Sequence, residues 1–255
     1  MAKKSLMVLA AFILFMTHGP AFAEAPKETV EPYVPQFSYA PNPQNAPDSA
    51  GVTFAVGMPS CFPSSVPNQL WINELKSTGK LDPASNKLFW FAFPQFVNLP
   101  FKMRRDVAEL LYAKGFGIKG PYESSNAIPA ADKKAIDLYL TPKINLTFTL
   151  RDVNKWLSGA ENIEVNGAVG LEIRDMGSSE LLWTKEVPLT KIELVWEMNR
   201  TYFVETKFNT IMNAVAKGIE QQYSAIMSGI SNAIDPQEMR ALKKSGEATR
   251  GKTGY

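Results

Sequence analysis

The chain has 255 residues with 45% hydrophobic side chains, enough to bury the core of one domain with extensions. Its 27 lysines and arginines nearly balance 25 aspartates and glutamates, so no global electrostatic attraction to nucleic acid or anionic lipid is expected. A single cysteine, Cys61, excludes an intrachain disulfide, and we expect either a buried apolar side chain or an intermolecular disulfide.

The N-terminus has the three-part layout of a secretory signal peptide. Lys3 and Lys4 form a basic start, residues 6–16 are all apolar, and Ala-Phe-Ala ending at Ala23 is a small-x-small cleavage site. The apolar run is shorter than the about 20 residues that a membrane span needs. We therefore predict that residues 1–23 are removed after Ala23 and that the protein is periplasmic or associated with the outer membrane. The mature chain would lose its one histidine and be formally neutral.

Residues 24–50 predict an extended arm. The segment holds six prolines among Asn, Gln, Ser and Asp, a composition typical of polyproline II backbone. It also carries Tyr33, Phe37 and Tyr39, which a simple spacer would not need. The arm is therefore either an unstructured leader or a segment that lies across a neighbouring protein with its aromatics as anchors. Because it has little apolar area, we expect it to be dispensable for folding and needed for assembly.

The next part of the chain mixes strand and helix patterns. Residues 52–57 predict a short strand, and residues 70–76 predict a short helix. The almost entirely apolar residues 87–93 predict a strand that is covered on both faces. Apolar side chains at positions 103, 107, 110 and 111 predict an amphipathic helix that ends at Gly115, and Phe116 opens another strand.

An alternating pattern then predicts an antiparallel meander. Apolar side chains fall on even positions from 136 to 150 and on odd positions from 163 to 173. Pro142 lies inside the first run, which indicates an edge position or a bulge. The apolar phase slips by one between Leu189 and Ile192, so a bulge or strand break must fall there to keep the same face inward.

The C-terminal part is helical in pattern. Residues 208–234 predict a long amphipathic helix, and Asp235 followed by a proline predicts a new helix that runs to about residue 245. The predicted fold is α+β, an antiparallel meander covered by amphipathic helices, with residues 51–234 as core domain and residues 235–255 as C-terminal helix and basic tail.

The tail carries an excess of positive charge at Arg240, Lys243 and Lys244, among others. Such a run is usually a solvated helix face, and the alternative is contact with an anionic partner. We take these three residues, together with Tyr33 and the other arm aromatics, as candidates for partner binding.

One set of motifs resembles the signatures of serine penicillin-recognising enzymes. Residues 77–80 match S-x-x-K, residues 124–126 match S-x-N, and residues 252–254 match K-T-G. The context is wrong, because Gly79 breaks the helix that the lysine requires and too little chain follows residue 254 to build an interior strand. We expect no catalytic residues, no cofactor and no metal site.

Segments of residues 85–250 resemble the neuraminyllactose-binding haemagglutinin family of bacterial envelope lipoproteins. Residues 86–94 (Asn-Lys-Leu-Phe-Trp-Phe-Ala-Phe-Pro) are similar to that family's first core strand, and residues 107–116 to its helix ending in Gly-aromatic. The meander around residues 177–181 and the long helix with a basic tail follow in the same order. The resemblance implies an α+β envelope domain that belongs to surface or secretion-related machinery.

Two departures from that family bear on function. Ala23 and the residue after it replace the lipobox cysteine, so outer-membrane association through proteins is expected rather than a lipid anchor. The basic stretch credited with sialoglycan binding is reduced to Arg151 and Lys155. We therefore predict a non-enzymatic interaction component of a multiprotein outer-membrane or secretion-system assembly, with other envelope proteins as partners and no nucleic acid. The alternative is an adhesin that binds host glycans, with Trp156 stacking on a sugar.

Overall fold

The computed structural model describes residues 30–44, 46–64, 77, 79, 93–152, 160–197 and 204–253. Several sequence-based predictions lie outside these ranges. They are the signal peptide with its cleavage site, the helix at residues 70–76, nearly all of the strand at residues 87–93, and the position of Trp156.

The described part of the chain contains seven strands and four α-helices. The strands are β1 (Thr53–Val56), β2 (Ser60–Ser64), β3 (Gly117–Lys119), β4 (Leu138–Asp152), β5 (Ala160–Asp175), β6 (Leu181–Pro188) and β7 (Ile192–Glu197). The helices are α1 (Leu99–Ala113), α2 (Ala130–Lys133), α3 (Val204–Ala233) and α4 (Pro236–Thr253). None of the described helices combines the length and the apolar composition that a membrane span requires.

The predicted antiparallel meander is present and consists of β4 to β7. The strands β4 and β5 pair along their whole shared length, from Leu138 opposite Asp175 to Asp152 opposite Glu161. Both β6 and β7 pair antiparallel with β5, one after the other along its length. The break between them falls at residues 189–191, where the sequence places the slip in apolar phase.

The sheet as a whole is mixed, which corrects the purely antiparallel prediction. Its order is β3-β1-β4-β5-β6, with β2 also beside β4. The strands β1, β2 and β3 are added in parallel orientation, β1 beside both β3 and β4 and β2 beside β4. The connection from β1 to β3 passes through α1, which returns the chain to the same end of the sheet before β3 begins. Pro142 pairs with Leu171 of β5 and lies in the gap between the parts of β4 that pair with β1 and with β2. Its missing N–H is thus accommodated between two partner strands.

The main core lies between one face of this sheet and the helices. The even positions of β4 and the odd positions of β5 point into it, as their alternation predicts. The buried face of α3 contributes Ile211, Met212, Val215, Ile219, Tyr223, Ile226 and Ile230. The alternation predicts that Ile136 lies on the same strand face as the other even positions. It instead precedes β4 and packs with Ala55 and Tyr139 in a second, smaller cluster.

Local capping explains where the helices end. At the end of α1, the Gly115 N–H donates to the Tyr112 carbonyl and the Phe116 N–H to the Leu111 carbonyl, with Gly115 at a φ of 94°. At the start of α4, the Glu238 N–H donates to the Asp235 carboxylate at 2.9 Å. The helix α4 runs to Thr253, beyond the predicted end near residue 245.

Candidate binding surface on helix α1

The proline-rich arm lies along α3 of its own chain. Tyr33, Phe37 and Tyr39 all pack against the main core, and Phe37 is only 8% exposed with its ring 5.0 Å from that of Tyr223. The Tyr33 hydroxyl donates to Glu220, with which it forms a short hydrogen bond. Partner binding by these aromatics stays a prediction, because what they contact here is the chain's own core. The contacts lead us to expect, contrary to the sequence-based hypothesis, that the arm contributes to folding.

The end of the arm is held by α1. The Gln44 N–H donates to the Ala113 carbonyl at 2.7 Å, and the Ala46 N–H donates to the Lys114 carbonyl at 3.2 Å. These two carbonyls lie at the C-terminus of the helix, where no helical donor is available. The arm therefore satisfies the end of α1 and is fixed beside it.

Two of the predicted basic partner-binding residues also contact the arm's end. Arg240 lies 3.1 Å from the Asp48 carboxylate and donates to the Pro47 carbonyl at 3.0 Å. Lys243 donates to the Gly51 carbonyl at 2.7 Å and forms an ion pair with Asp137 at 3.0 Å. Lys244, by contrast, is exposed. The basic face of α4 thus fixes the residues that lead into β1. Binding of a partner by Arg240, Lys243 and Lys244 remains a prediction.

A buried carboxylate fixes α1 against α3. Asp106 is fully buried, forms an ion pair with Lys102, and accepts a hydrogen bond from the Tyr223 hydroxyl at 2.9 Å. Burial raises the pKa of Tyr223 strongly above its usual range, and the negative charge of Asp106 is the second largest cause. The same two causes raise the pKa of Tyr39. Tyr223 therefore stays a neutral donor, and α1 has a fixed orientation with one face outward.

The outward face of α1 carries an exposed stripe, which we define as Phe101, Arg105 and Tyr112. Their spacing places them on one side of the helix. Phe101 is 55% exposed and Tyr112 is 74% exposed, and the Arg105 side chain is 64% exposed. Tyrosine and arginine are among the residue types that are enriched where protein interfaces gain most of their binding energy.

Two concavities flank the stripe and share Ala108 and Ile118. The first, the basic cavity, has a volume of about 500 Å³ and lies between α1 and β3. The second, the proline groove, has a volume of about 790 Å³ and is lined by Pro41 and Pro43 of the arm together with Tyr112 and the end of α1. Both are of a size that accommodates a ligand or a partner's side chains.

The described residues offer an arrangement for binding rather than for the chemistry of the penicillin signatures. Lys252 and Thr253 are the last residues of α4, whereas K-T-G must lie in an interior strand. Within the described ranges, no three His, Cys, Asp or Glu side chains are grouped as metal ligands. Trp156, the glycan-stacking candidate, lies outside those ranges.

Sequence reasoning missed the stripe on α1. It identified the buried positions of this helix, such as Met103 and Val107, and made no prediction for Phe101 or Tyr112. The available sign was that Phe101 and Tyr112 are large aromatics at positions outside the buried phase of an amphipathic helix.

Comparisons with known proteins indicate a fold and no more. No family model matches the sequence, and no curated protein matches it. A neuraminyllactose-binding hemagglutinin homolog from Helicobacter pylori is similar in structure, with a TM-score of 0.51 and 15% identity over 85% of this chain and 100% of that chain. Protein XCC0632 from Xanthomonas campestris has a TM-score of 0.32 and 13% identity over 79% and 93% of the two chains. Lipoprotein GNA1162 from Neisseria meningitidis has a TM-score of 0.27 and 10% identity over 67% and 96%. The first of these likenesses shows a shared α+β fold, in line with the family resemblance of the sequence.

Proposed function

We propose that this chain is a non-catalytic binding component of a bacterial envelope assembly and that it contacts another envelope protein through α1. The observation that carries the proposal is Tyr112, which is 74% exposed at the rim of the proline groove formed with Pro41 and Pro43. An aromatic ring beside a concave apolar surface is the usual form of an interface anchor.

The proline groove is preorganised for binding. Pro41 and Pro43 have a fixed φ, and the hydrogen bond from Gln44 to the Ala113 carbonyl ties this part of the arm to α1. A partner would therefore meet a surface whose backbone is already ordered, so less conformational entropy is lost on association. The arm would then act in assembly by building the surface beside Tyr112.

The envelope location rests on the predicted signal peptide at residues 1–23 and on the fold shared with the Helicobacter pylori structure. Binding of a neuraminyl sugar, as named for the Helicobacter pylori relative, has no comparable support, because its candidate residue Trp156 lies outside the described ranges.

Site-specific photocrosslinking tests the proposal in living cells of the source bacterium. Benzoylphenylalanine placed at Tyr112 retains an aromatic ring and should give discrete higher-mass adducts in the envelope fraction. The matched control is the same probe at Lys185, which is exposed on β6. Adducts at Tyr112 that disappear when Pro41 and Pro43 are both replaced by alanine would support the groove as the docking site. No adducts at Tyr112, or identical adducts at both positions, would overturn it.

A further inference from the structure

We propose that the basic cavity between α1 and β3 is a binding site for an amphiphilic anion, a ligand with an apolar chain and one carboxylate or phosphate group. The site is separate from the proline groove, although the two share Ala108 and Ile118 as a common wall. The inference does not depend on the proposed protein partner.

The floor of the cavity is apolar. Its apolar lining residues are Val56 at the end of β1, Ile118 of β3, Pro121, and Ala108 and Phe101 of α1. Phe101 is 55% exposed in this structure, so an apolar ligand would cover a ring that now faces water. A volume of about 500 Å³ suits a small molecule and is too small for a folded partner.

The rim of the cavity is strongly basic. Lys102, Arg104, Arg105 and Lys119 all line it, and no acidic side chain is among its described lining residues. Because the whole chain carries 27 basic against 25 acidic residues, this is a local concentration of charge and not a property of the whole surface. A concave apolar site with one sign of charge at its mouth favours a ligand of the opposite sign.

Two of these four cations are already paired. Lys102 forms an ion pair with buried Asp106, and Arg105 lies 3.6 Å from Glu109 and 3.7 Å from Asp106. Their positive charges are therefore partly balanced, so these two side chains attract an anionic ligand only weakly.

Arg104 and Lys119 supply the unbalanced charge. The Arg104 guanidinium donates one hydrogen bond, at 3.1 Å, to the Tyr122 carbonyl, a neutral acceptor that orients the group and leaves other N–H donors for a ligand. Lys119 is exposed at the end of β3, on the opposite side of the cavity from α1, and it has no ion pair among the described residues. An arginine and a lysine on two walls above an apolar floor match an anionic head group with an attached chain.

Binding of dodecanoate and of dodecyl phosphate to the purified mature protein, measured by calorimetry below their micelle concentrations, tests the proposal. Both should bind saturably at one site per chain. Inorganic phosphate, which lacks the chain, and dodecyl maltoside, which lacks the charge, should bind at least about tenfold more weakly. Vesicles of phosphatidylglycerol, compared with phosphatidylcholine, distinguish a membrane lipid from a free amphiphile as the source of the ligand.

The variants Arg104→Gln and Lys119→Gln should each weaken binding of dodecanoate by about tenfold, the effect of losing one charge-assisted hydrogen bond. Lys185→Gln, an equal charge change at an exposed position of β6, should have no effect. Since Lys119 is exposed, its replacement tests the site even where loss of the Arg104 contact to Tyr122 disturbs folding.

Equal binding by the Lys119→Gln variant, equal binding of dodecyl maltoside, or no binding of either anion would overturn the inference. The variant Tyr112→Ala separates this result from the proposed protein contact, because it should abolish partner binding and leave dodecanoate affinity unchanged.

Discussion

The Tyr223 hydroxyl of α3 donates a hydrogen bond of 2.9 Å to the buried carboxylate of Asp106 in α1, although 117 positions separate the two residues. On its other side, the Tyr223 ring contacts Phe37 of the arm, with ring centroids 5.0 Å apart. One tyrosine therefore joins the arm, the long helix and α1, and it fixes the helix whose outer face carries both proposed binding sites.

The variant Tyr223→Phe should lower the free energy of unfolding by about 2 kcal/mol, the value of a buried hydrogen bond to a charged acceptor. The ring and its packing against Phe37 are kept, so the loss reports on the hydroxyl alone. Urea unfolding measures it. The control is Tyr112→Phe, which removes an exposed hydroxyl on α1 and should change the unfolding free energy by less than about 0.5 kcal/mol. Equal effects of the two variants would contradict the structural role of the Asp106 contact.

Stability at alkaline pH should also depend on Tyr223. Burial and the Asp106 charge raise the pKa of Tyr223 in the folded protein above the 10.0 of an unperturbed tyrosine. The stabilisation is fully present below the unfolded pKa and is lost as pH rises above about 10, because only the unfolded chain then releases the proton. The free energy of unfolding of the wild type should fall by up to about 1.4 kcal/mol more per pH unit in this range than that of Tyr223→Phe. Unfolding free energies measured in urea at several alkaline pH values test this, and parallel curves would be inconsistent with it.

The variant Phe37→Ala should destabilise the whole domain by about 3 kcal/mol, because it removes a buried aromatic ring from the main core. It should also speed protease cleavage within the arm, since the arm is held to α3 partly by this ring. The matched control is Val34→Ala, whose side chain is 56% exposed on the opposite side of the extended arm. An unchanged thermal transition for Phe37→Ala would show instead that folding does not need the arm.

The neighbouring lysines of α4 should differ sharply in their effect on stability. Lys243 bonds to the Gly51 carbonyl and pairs with Asp137, so Lys243→Ala should cost about 1–3 kcal/mol. Lys244 is exposed, and Lys244→Ala should stay within about 0.5 kcal/mol of the wild type. Thermal unfolding of the two variants side by side measures the difference, and a comparable loss in both would show that the contact contributes little.

Features set by neighbours in sequence could be predicted from the sequence. The alternation along β4 and β5, the break between β6 and β7, the end of α1 at Gly115 and the start of α4 at Asp235 all depend on side-chain periodicity or local capping. These patterns act over a few residues, and the structure reproduces them.

Strand direction and partners were decided by the tertiary structure. The alternation in β1 indicates which side chains point inward, but it is the same for parallel and antiparallel neighbours. Only the path of the chain through α1 determines that β3 lies beside β1 in parallel orientation.

The candidate binding surface likewise could not be predicted from the sequence. Positive charge on α4 and aromatics in the arm were recognised as residue types, yet Arg240 and Phe37 are engaged by distant parts of the same chain. Phe101 and Tyr112 face outward because the opposite face of α1 is buried in the core and is held to α3 by the hydrogen bond from Tyr223 to Asp106. The sequence by itself determined the strands β4 to β7 and the helices α1 and α3, since their patterns depend on local side-chain periodicity. Which polar and aromatic side chains remain open to a partner was decided only by the tertiary structure, because that depends on contacts between residues more than a hundred positions apart.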